Sequence, residues 1–438
     1  MIRRVCQFLA LALIVAACTA STDDTTTTST GGQPTTTTED TTTSTSETTT
    51  TTTLPEPTWD ELPGIDTLPQ EVQDELLALV RTTEELRGLR FQEPPLISIV
   101  SEEELETRVR TQIEEESEDF PADQALYKLL GLLDEEIDLA TLLIDLYGEQ
   151  VAGYYDGETG ELVVPIREEG FSVVQRATMV HELTHSLTDQ VLAFHEPYTA
   201  MVDEDRLDEA SAYQALIEGD ASMTELLYLQ NLSQRELGEF FAEALDIDTT
   251  ALDAAPQFIQ DSLIFPYDSG LAFVQQNYLR DEWETVNAAY AEMPSLPGST
   301  EQIITPDDFQ RDLPTTVATE LPSLPGYELE RESVWGELGF RIMLDQVLGE
   351  EVGVEAADGW GGDTYAQWFD GENAALLIVV EGDTERDTEE LRAAMLDYAT
   401  TAVAEEDWVW VEVFDGRLVF VAADQTEVGE AILASASG

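Results

Sequence analysis

Three histidines occur in this chain of 438 residues, and two of them close the pattern His181-Glu182-Leu183-Thr184-His185. Histidines four residues apart project from one face of a helix, so both imidazoles can bind one ion from the same side. Glu182, beside the first ligand, is placed to take a proton from water at that ion and to deliver it to a leaving amine. Two imidazoles on a helix with an adjacent acid point to zinc, which lowers the pKa of a coordinated water to roughly 7. The two cysteines, Cys6 and Cys18, both lie at the N-terminal end. No thiolate is therefore available to the body of the chain, and any metal there must be held by histidine and carboxylate.

A third protein ligand is needed, with water completing the set. The metzincin pattern requires glycine and histidine where Thr188 and Val191 stand, so it is excluded. Glu218, in Ala215-Leu216-Ile217-Glu218-Gly219-Asp220-Ala221, is the preferred ligand. Small residues around it (Ala212, Ala215, Gly219, Ala221) would let two helices approach closely enough to share an ion. Glu209 and His195 stand as alternatives, His195 in an expected loop. Asp189, one turn beyond His185, is placed to accept the second ring N–H of a ligand histidine, which fixes its tautomer.

The elements that must position these residues follow from periodicity. A long helix is expected at about 172–190, carrying the histidine pair. A second is expected at about 205–232, carrying Glu218. Upstream, the spacing predicts a helix over 69–89, a strand Leu96–Val100, a helix opened by Ser101 and Glu104, and helices at about 122–133 and 137–149. Residues 151–166 read as a β-hairpin with Asp156-Gly157 and Thr159-Gly160 as turn signals. Residues 291–330 are Pro-rich and irregular. A helix over 331–348, strand-like runs at 364–369 and 374–380, a helix at about 385–404 and a hairpin at 408–422 predict a small C-terminal α+β unit. The expected division is 59–330 for the site-bearing domain and 331–438 for that unit, and the fold class is α+β, mainly helical.

His181-Glu182-Leu183-Thr184-His185-Ser186-Leu187-Thr188-Asp189 closely resembles the active-site helix of thermolysin-like gluzincins. The wider pattern looks like a group of largely uncharacterised bacterial zincin-like lipoproteins. Leu130-Gly131-Leu132-Leu133, Val151-Ala152-Gly153-Tyr154-Tyr155-Asp156, Glu218-Gly219-Asp220-Ala221, Pro266-Tyr267-Asp268-Ser269-Gly270, Ser299-Thr300-Glu301-Gln302-Ile303 and Gly359-Trp360-Gly361-Gly362-Asp363 carry that likeness. The resemblance implies a zincin-like core, Glu218 as third ligand, Asp189 as a histidine's partner, and peptide-bond hydrolysis of a polypeptide substrate. It also implies a donor for the tetrahedral oxyanion, for which Tyr267 and His195 are candidates, and a substrate-binding strand, expected at Glu161–Ile166. The alternative is a catalytically silent zincin fold used for binding at the cell envelope, against which the intact Glu182 argues.

The rest of the composition sets boundaries. Asp and Glu number 91 against 19 Lys and Arg, a formal net charge of -72. Nucleic acid is excluded as a partner, because there is no basic surface to release its counterions. Such a charge repels itself in the compact state and is relieved by salt, which suits a saline habitat. Arg3 and Arg4 followed by an apolar run from Phe8 to Val15 read as an export signal. Val15-Ala16-Ala17-Cys18 resembles a bacterial lipobox, after which an acylated Cys18 would anchor the chain to the outer face of the cell membrane. The Thr-rich stretch 19–58 then reads as a disordered stalk.

Overall fold

The run of periodic segments folds into an α+β arrangement with two separate sheets. The computed structural model describes residues 9–11, 59–116, 120–165, 170–291, 297–307 and 309–436. Cys18 and the Thr-rich stalk lie outside the described residues. In chain order come β1 (Leu9–Leu11), α1 (Gln70–Arg87), β2 (Leu96–Val100), α2 (Glu102–Glu116), α3 (Phe120–Leu129), α4 (Leu139–Gln150), β3 (Val151–Asp156), β4 (Glu161–Pro165), α5 (Val173–Leu192), α6 (His195–Asp203) and α7 (Leu207–Gln230). Then follow α8 (Gln234–Ala244), α9 (Thr250–Ala254), α10 (Gln257–Asp281), α11 (Glu284–Ala289) and α12 (Thr300–Ile304). The last part is β5 (Glu328–Ser333), α13 (Gly336–Leu348), α14 (Glu350–Ala357), β6 (Trp360–Phe369), β7 (Ala374–Gly382), α15 (Glu385–Ala402), β8 (Trp408–Phe414), β9 (Arg417–Ala423) and α16 (Thr426–Ala436).

The first sheet has the order β1-β3-β4-β2, with β2 parallel to β4 and the other pairs antiparallel. The hairpin turns where Asp156 Oδ1 accepts the backbone N–H groups of Glu158 and Thr159, and Gly160 takes φ 72°. β4 is apolar without alternation because both of its faces are covered. Leu162 and Val164 pack with α1 and α5, while Val163 joins the core of α2 and α4 on the other side. β4 is thus an interior strand, paired on both edges. Glu161–Val163 are paired on both sides, with β3 and with β2, so that part of the expected substrate strand has no free edge, and Ile166 lies outside the described residues.

α5 starts at a full capping box, in which the Ser172 hydroxyl accepts the Gln175 N–H and the Gln175 side chain accepts the Ser172 N–H. Every residue from Ala177 to Thr188 is buried, so this helix runs through the interior rather than across a surface. α1 is tied to α7 by a buried ion pair. Arg87 donates to Asp220 from Nε (2.6 Å) and Nη2 (2.9 Å), and both side chains are fully buried.

The second sheet is antiparallel in the order β5-β6-β7-β9-β8. Its faces alternate: Leu376, Ile378 and Phe420 point to α13 and α15, while Leu377, Val379 and Val421 point to α16. The first of these faces shares one continuous apolar core with α3, α4, α7 and α10. Residues 331–333 belong to strand β5, and the helix expected from 331 begins at Gly336. The cause lies in Asp363, whose carboxylate accepts the backbone N–H groups of Trp335 and Gly336 and so fixes the helix start. Gly359 to Asp363 is therefore a structural corner. Trp360 Nε1 donates to the same carboxylate, and Gly362 has no room for a Cβ against Thr315.

Candidate metal centre

α5 and α7 bring His181, His185 and Glu218 together, with ligand atoms all within 4.8 Å of one another. Glu218 Oε2 lies 3.1 Å from His181 Nε2 and 3.3 Å from His185 Nε2. All three side chains are buried. Burial alone would lower the pKa of His181, but hydrogen bonds to Glu218 and Glu225 outweigh it and raise the value to about 10. Burial lowers that of His185. Glu218 is held at about 2, because the two imidazoles outweigh the burial that opposes ionisation. A donor set that drives a proton onto an imidazole is one for which a divalent cation competes.

Glu182 is fully buried, and burial pushes its carboxyl up to about 8. The Tyr155 backbone N–H, in β3, opposes that rise, and Glu218 Oε1 has no hydrogen-bond partner. Buried carboxylate oxygens without donors are costly. A cation bound by the two imidazoles and Glu218, with water beside Glu182, would satisfy them. The residues present therefore fit a metal ion, and a set of two nitrogens and one carboxylate oxygen leaves a fourth position open.

The alternatives for the third ligand are elsewhere. Glu209 is 2.7 Å from Arg206 Nη1, in an ion pair at the start of α7. His195 is the first residue of α6, not part of a loop, and its ring lies against Gly157 in the β3–β4 turn, where a Cβ would collide with it. Asp189 does not support a ligand histidine. Its Oδ2 accepts the Tyr155 hydroxyl at 2.8 Å and its Oδ1 accepts the His195 backbone N–H at 3.0 Å, so it fastens α5 to β3 and α6. The carboxylate at the second nitrogen of His181 is Glu225, 3.4 Å from Nδ1. Sequence reasoning missed it. The available signal was its position two turns after Glu218, on the same face of α7.

The small residues of α7 serve a different contact from the one expected. Gly219 sits against the Gly270 carbonyl of α10, and Gly270 against the Ala215 carbonyl, with no space for a Cβ at either glycine. This close crossing seats Tyr267, one turn before Gly270, with its ring centroid 6.2 Å from that of His181.

Residues 326–434 match a family described as a domain of unknown function, DUF8575. That span runs from β5 into α16 and contains none of the metal-site residues. No curated protein matches the chain. The crystal structure of a candidate hydrolase with a novel fold, from Chloroflexus aurantiacus, is similar at a TM-score of 0.37 and 16% identity, over 54% of this chain and 88% of that one. That likeness is too slight to argue from.

Proposed function

We propose that this protein is a zinc-dependent peptidase of the gluzincin type, with a zincin-like core, anchored by lipid at Cys18 to the extracytoplasmic face of the membrane. The observation that carries the reading is the convergence of His181, His185 and Glu218 beside the fully buried Glu182. Zinc bound by those three residues would supply Lewis acidity, making water nucleophilic near neutral pH and polarising a peptide carbonyl. Glu225, 3.4 Å from the second nitrogen of His181, is placed to orient that ring. Glu182 accepts the proton released from water and returns it to the leaving amine. Tyr267, beside His181, is the candidate donor toward the oxyanion.

The strand for the substrate backbone is β3 rather than β4. β1 pairs antiparallel with the outer edge of β3, Leu9 opposite Tyr154 and Leu11 opposite Val151. An extended polypeptide laid along that edge would make the same ladder and run past α5. Among the described residues no helix is long and apolar enough to cross a membrane.

The test has two parts. Elemental analysis of purified protein should find zinc. Hydrolysis of a broad peptide library should be zinc-dependent and fall by roughly 10²–10⁴-fold in Glu182→Gln. Protein that holds zinc but cleaves nothing would refute the peptidase reading.

A further inference from the structure

The C-terminal sheet ends differently at its two sides. At one side β5 carries Glu328, Glu330, Arg331 and Glu332, and its register with β6 shifts between Leu329 and Arg331. Charges and a bulge are the usual guards of an unpaired edge. At the other side β8 reads Trp408-Val409-Trp410-Val411-Glu412-Val413-Phe414, with a single charged residue and an unbroken register against β9. Among the described residues no strand pairs with its outer edge. None of its residues is buried, whereas six of the seven residues of β9 are. The Trp408 and Trp410 rings lie nearly parallel, with an angle of 14° and centroids 6.4 Å apart, and Trp410 is 40% exposed. A regular, apolar and unguarded edge is a template for another strand.

The strand is close to a palindrome about Val411. Laid antiparallel against a copy of itself with Val411 on the two-fold axis, it sets Val409 opposite Val413, Trp408 opposite Phe414 and Trp410 opposite Glu412. The two Glu412 side chains then do not face each other, where like charges would disfavour the pair. The two Trp410 side chains lie diagonally across the axis, so Trp408 and Trp410 of both copies form one row. Opposite residues share a face. The valines therefore continue the face packed by α15, and the aromatic residues continue the face packed by α16. We propose that β8 pairs with β8 of a second copy, and that the C-terminal unit is the dimerisation module of this chain. Two five-stranded sheets become one of ten strands, and the contact closes at two copies because the same strand serves both. The formal net charge of -72 opposes association, and just beyond each end of the ladder Asp407 meets Asp415 of the second copy. Salt therefore strengthens this contact, where it would weaken one with a cationic partner.

The test is sedimentation equilibrium of the purified chain at up to about 100 µM. The dimer dissociation constant should fall by at least roughly tenfold between about 0.1 M and about 1 M NaCl. Trp410→Glu sets a carboxylate opposite Glu412 on both sides of the axis, and should raise the constant by at least roughly tenfold. The exchange Trp410→Glu/Glu412→Trp has the same composition and re-forms the opposite pair, so it should dimerise like the wild type. Both positions are exposed in the single chain, so melting temperature and zinc content should stay at wild-type levels. Val411→Cys serves should either variant fold poorly. It stands opposite its own copy and should cross-link under mild oxidation, whereas Val409→Cys is four residues from its copy along the ladder and should not. A chain that stays monomeric at both salt concentrations, an association that salt weakens, or a folded exchange variant that remains monomeric overturns the proposal. Cross-linking of Val409→Cys to the same extent as Val411→Cys overturns it as well.

Discussion

Replacing Arg87 with Met removes a charge while keeping the length of the stem. In the native protein the guanidinium donates to both oxygens of Asp220, donates to Asn287 Oδ1 at 2.6 Å, and stacks 4.2 Å from the centre of the Trp283 ring. After the substitution, Asp220 keeps only the Tyr290 hydroxyl, at 2.8 Å. Stranding one member of a buried ion pair costs about 3–5 kcal/mol. For a folded body of roughly 370 residues, an unfolding entropy of about 2.1 cal/mol/K per residue gives about 0.8 kcal/mol/K, so Tm should drop by about 4–6 °C. Asp220 is two residues from Glu218, so zinc affinity should weaken with it. The assay is thermal unfolding of zinc-loaded protein for Arg87→Met, Asp220→Leu and the double variant. The double variant should recover part of the loss, because no charge is then left uncompensated. Arg87→Met melting within about 1 °C of the wild type, or losses that simply add, would refute the view that α1 is locked to the helix that carries Glu218.

Three further outcomes follow from the same geometry. Glu225→Ala should weaken zinc binding by roughly 10–100-fold in competition with a chelator; unchanged affinity would mean that Glu225 does not position His181. Gly270→Ala drives a methyl group into the Ala215 carbonyl, and should cost about 1–3 kcal/mol in denaturant unfolding and reduce zinc content; a wild-type melt would show that α7 and α10 need no such closeness. Asp208 is pushed up to about 7, chiefly by burial and further by Asp363 and Glu337, against the hydrogen bonds from Thr300. Its ordinary value is near 4, so the folded state binds the extra proton between those limits, and this contribution to stability is lost as pH rises from about 4 through 7. Asp208→Asn keeps an acceptor for Thr300, and its Tm should gain on the wild type across that window; parallel curves would refute the assignment.

Much of the fold is legible in local pattern. The histidine helix announces itself by Ser172 with Gln175 at its start, and β2 by five residues of strand type between Pro95 and Ser101. What is not legible depends on partners distant in sequence. β4 reads as a strand, yet nothing in Glu161–Pro165 says that both edges are paired, since β2 comes from 65 residues upstream. Residues 331–333 read as the start of the next helix because Val334, Leu338 and Ile342 continue a helical spacing, while pairing of Arg331, Glu332 and Ser333 with β6 decides otherwise. His195 stands two residues before a proline, which suggests a loop. Pro197 instead occupies the first turn of α6, where a missing N–H costs nothing. Asp189 illustrates the limit most clearly. Its spacing from His185 is right for a ligand's partner, but Tyr155 and the His195 backbone claim both oxygens.

α7 shows why the centre needs so large a surround. Its apolar residues are spread around the whole circumference, so no single face of it binds to a core. Its fastenings are instead distributed along its length. Asp208, at the N-terminal end, accepts Thr300 and abuts Gly336 of the C-terminal unit. Ala215 and Gly219 admit α10, and Asp220 holds Arg87 of α1. Only the face bearing Glu218 and Glu225 turns to the histidines of α5. Clustering these acids in the interior of an already acidic chain is unfavourable unless a cation sits among them. The three fastenings supply the rigidity that holds them there, so a loss at any one should appear as weaker metal binding before it appears as unfolding.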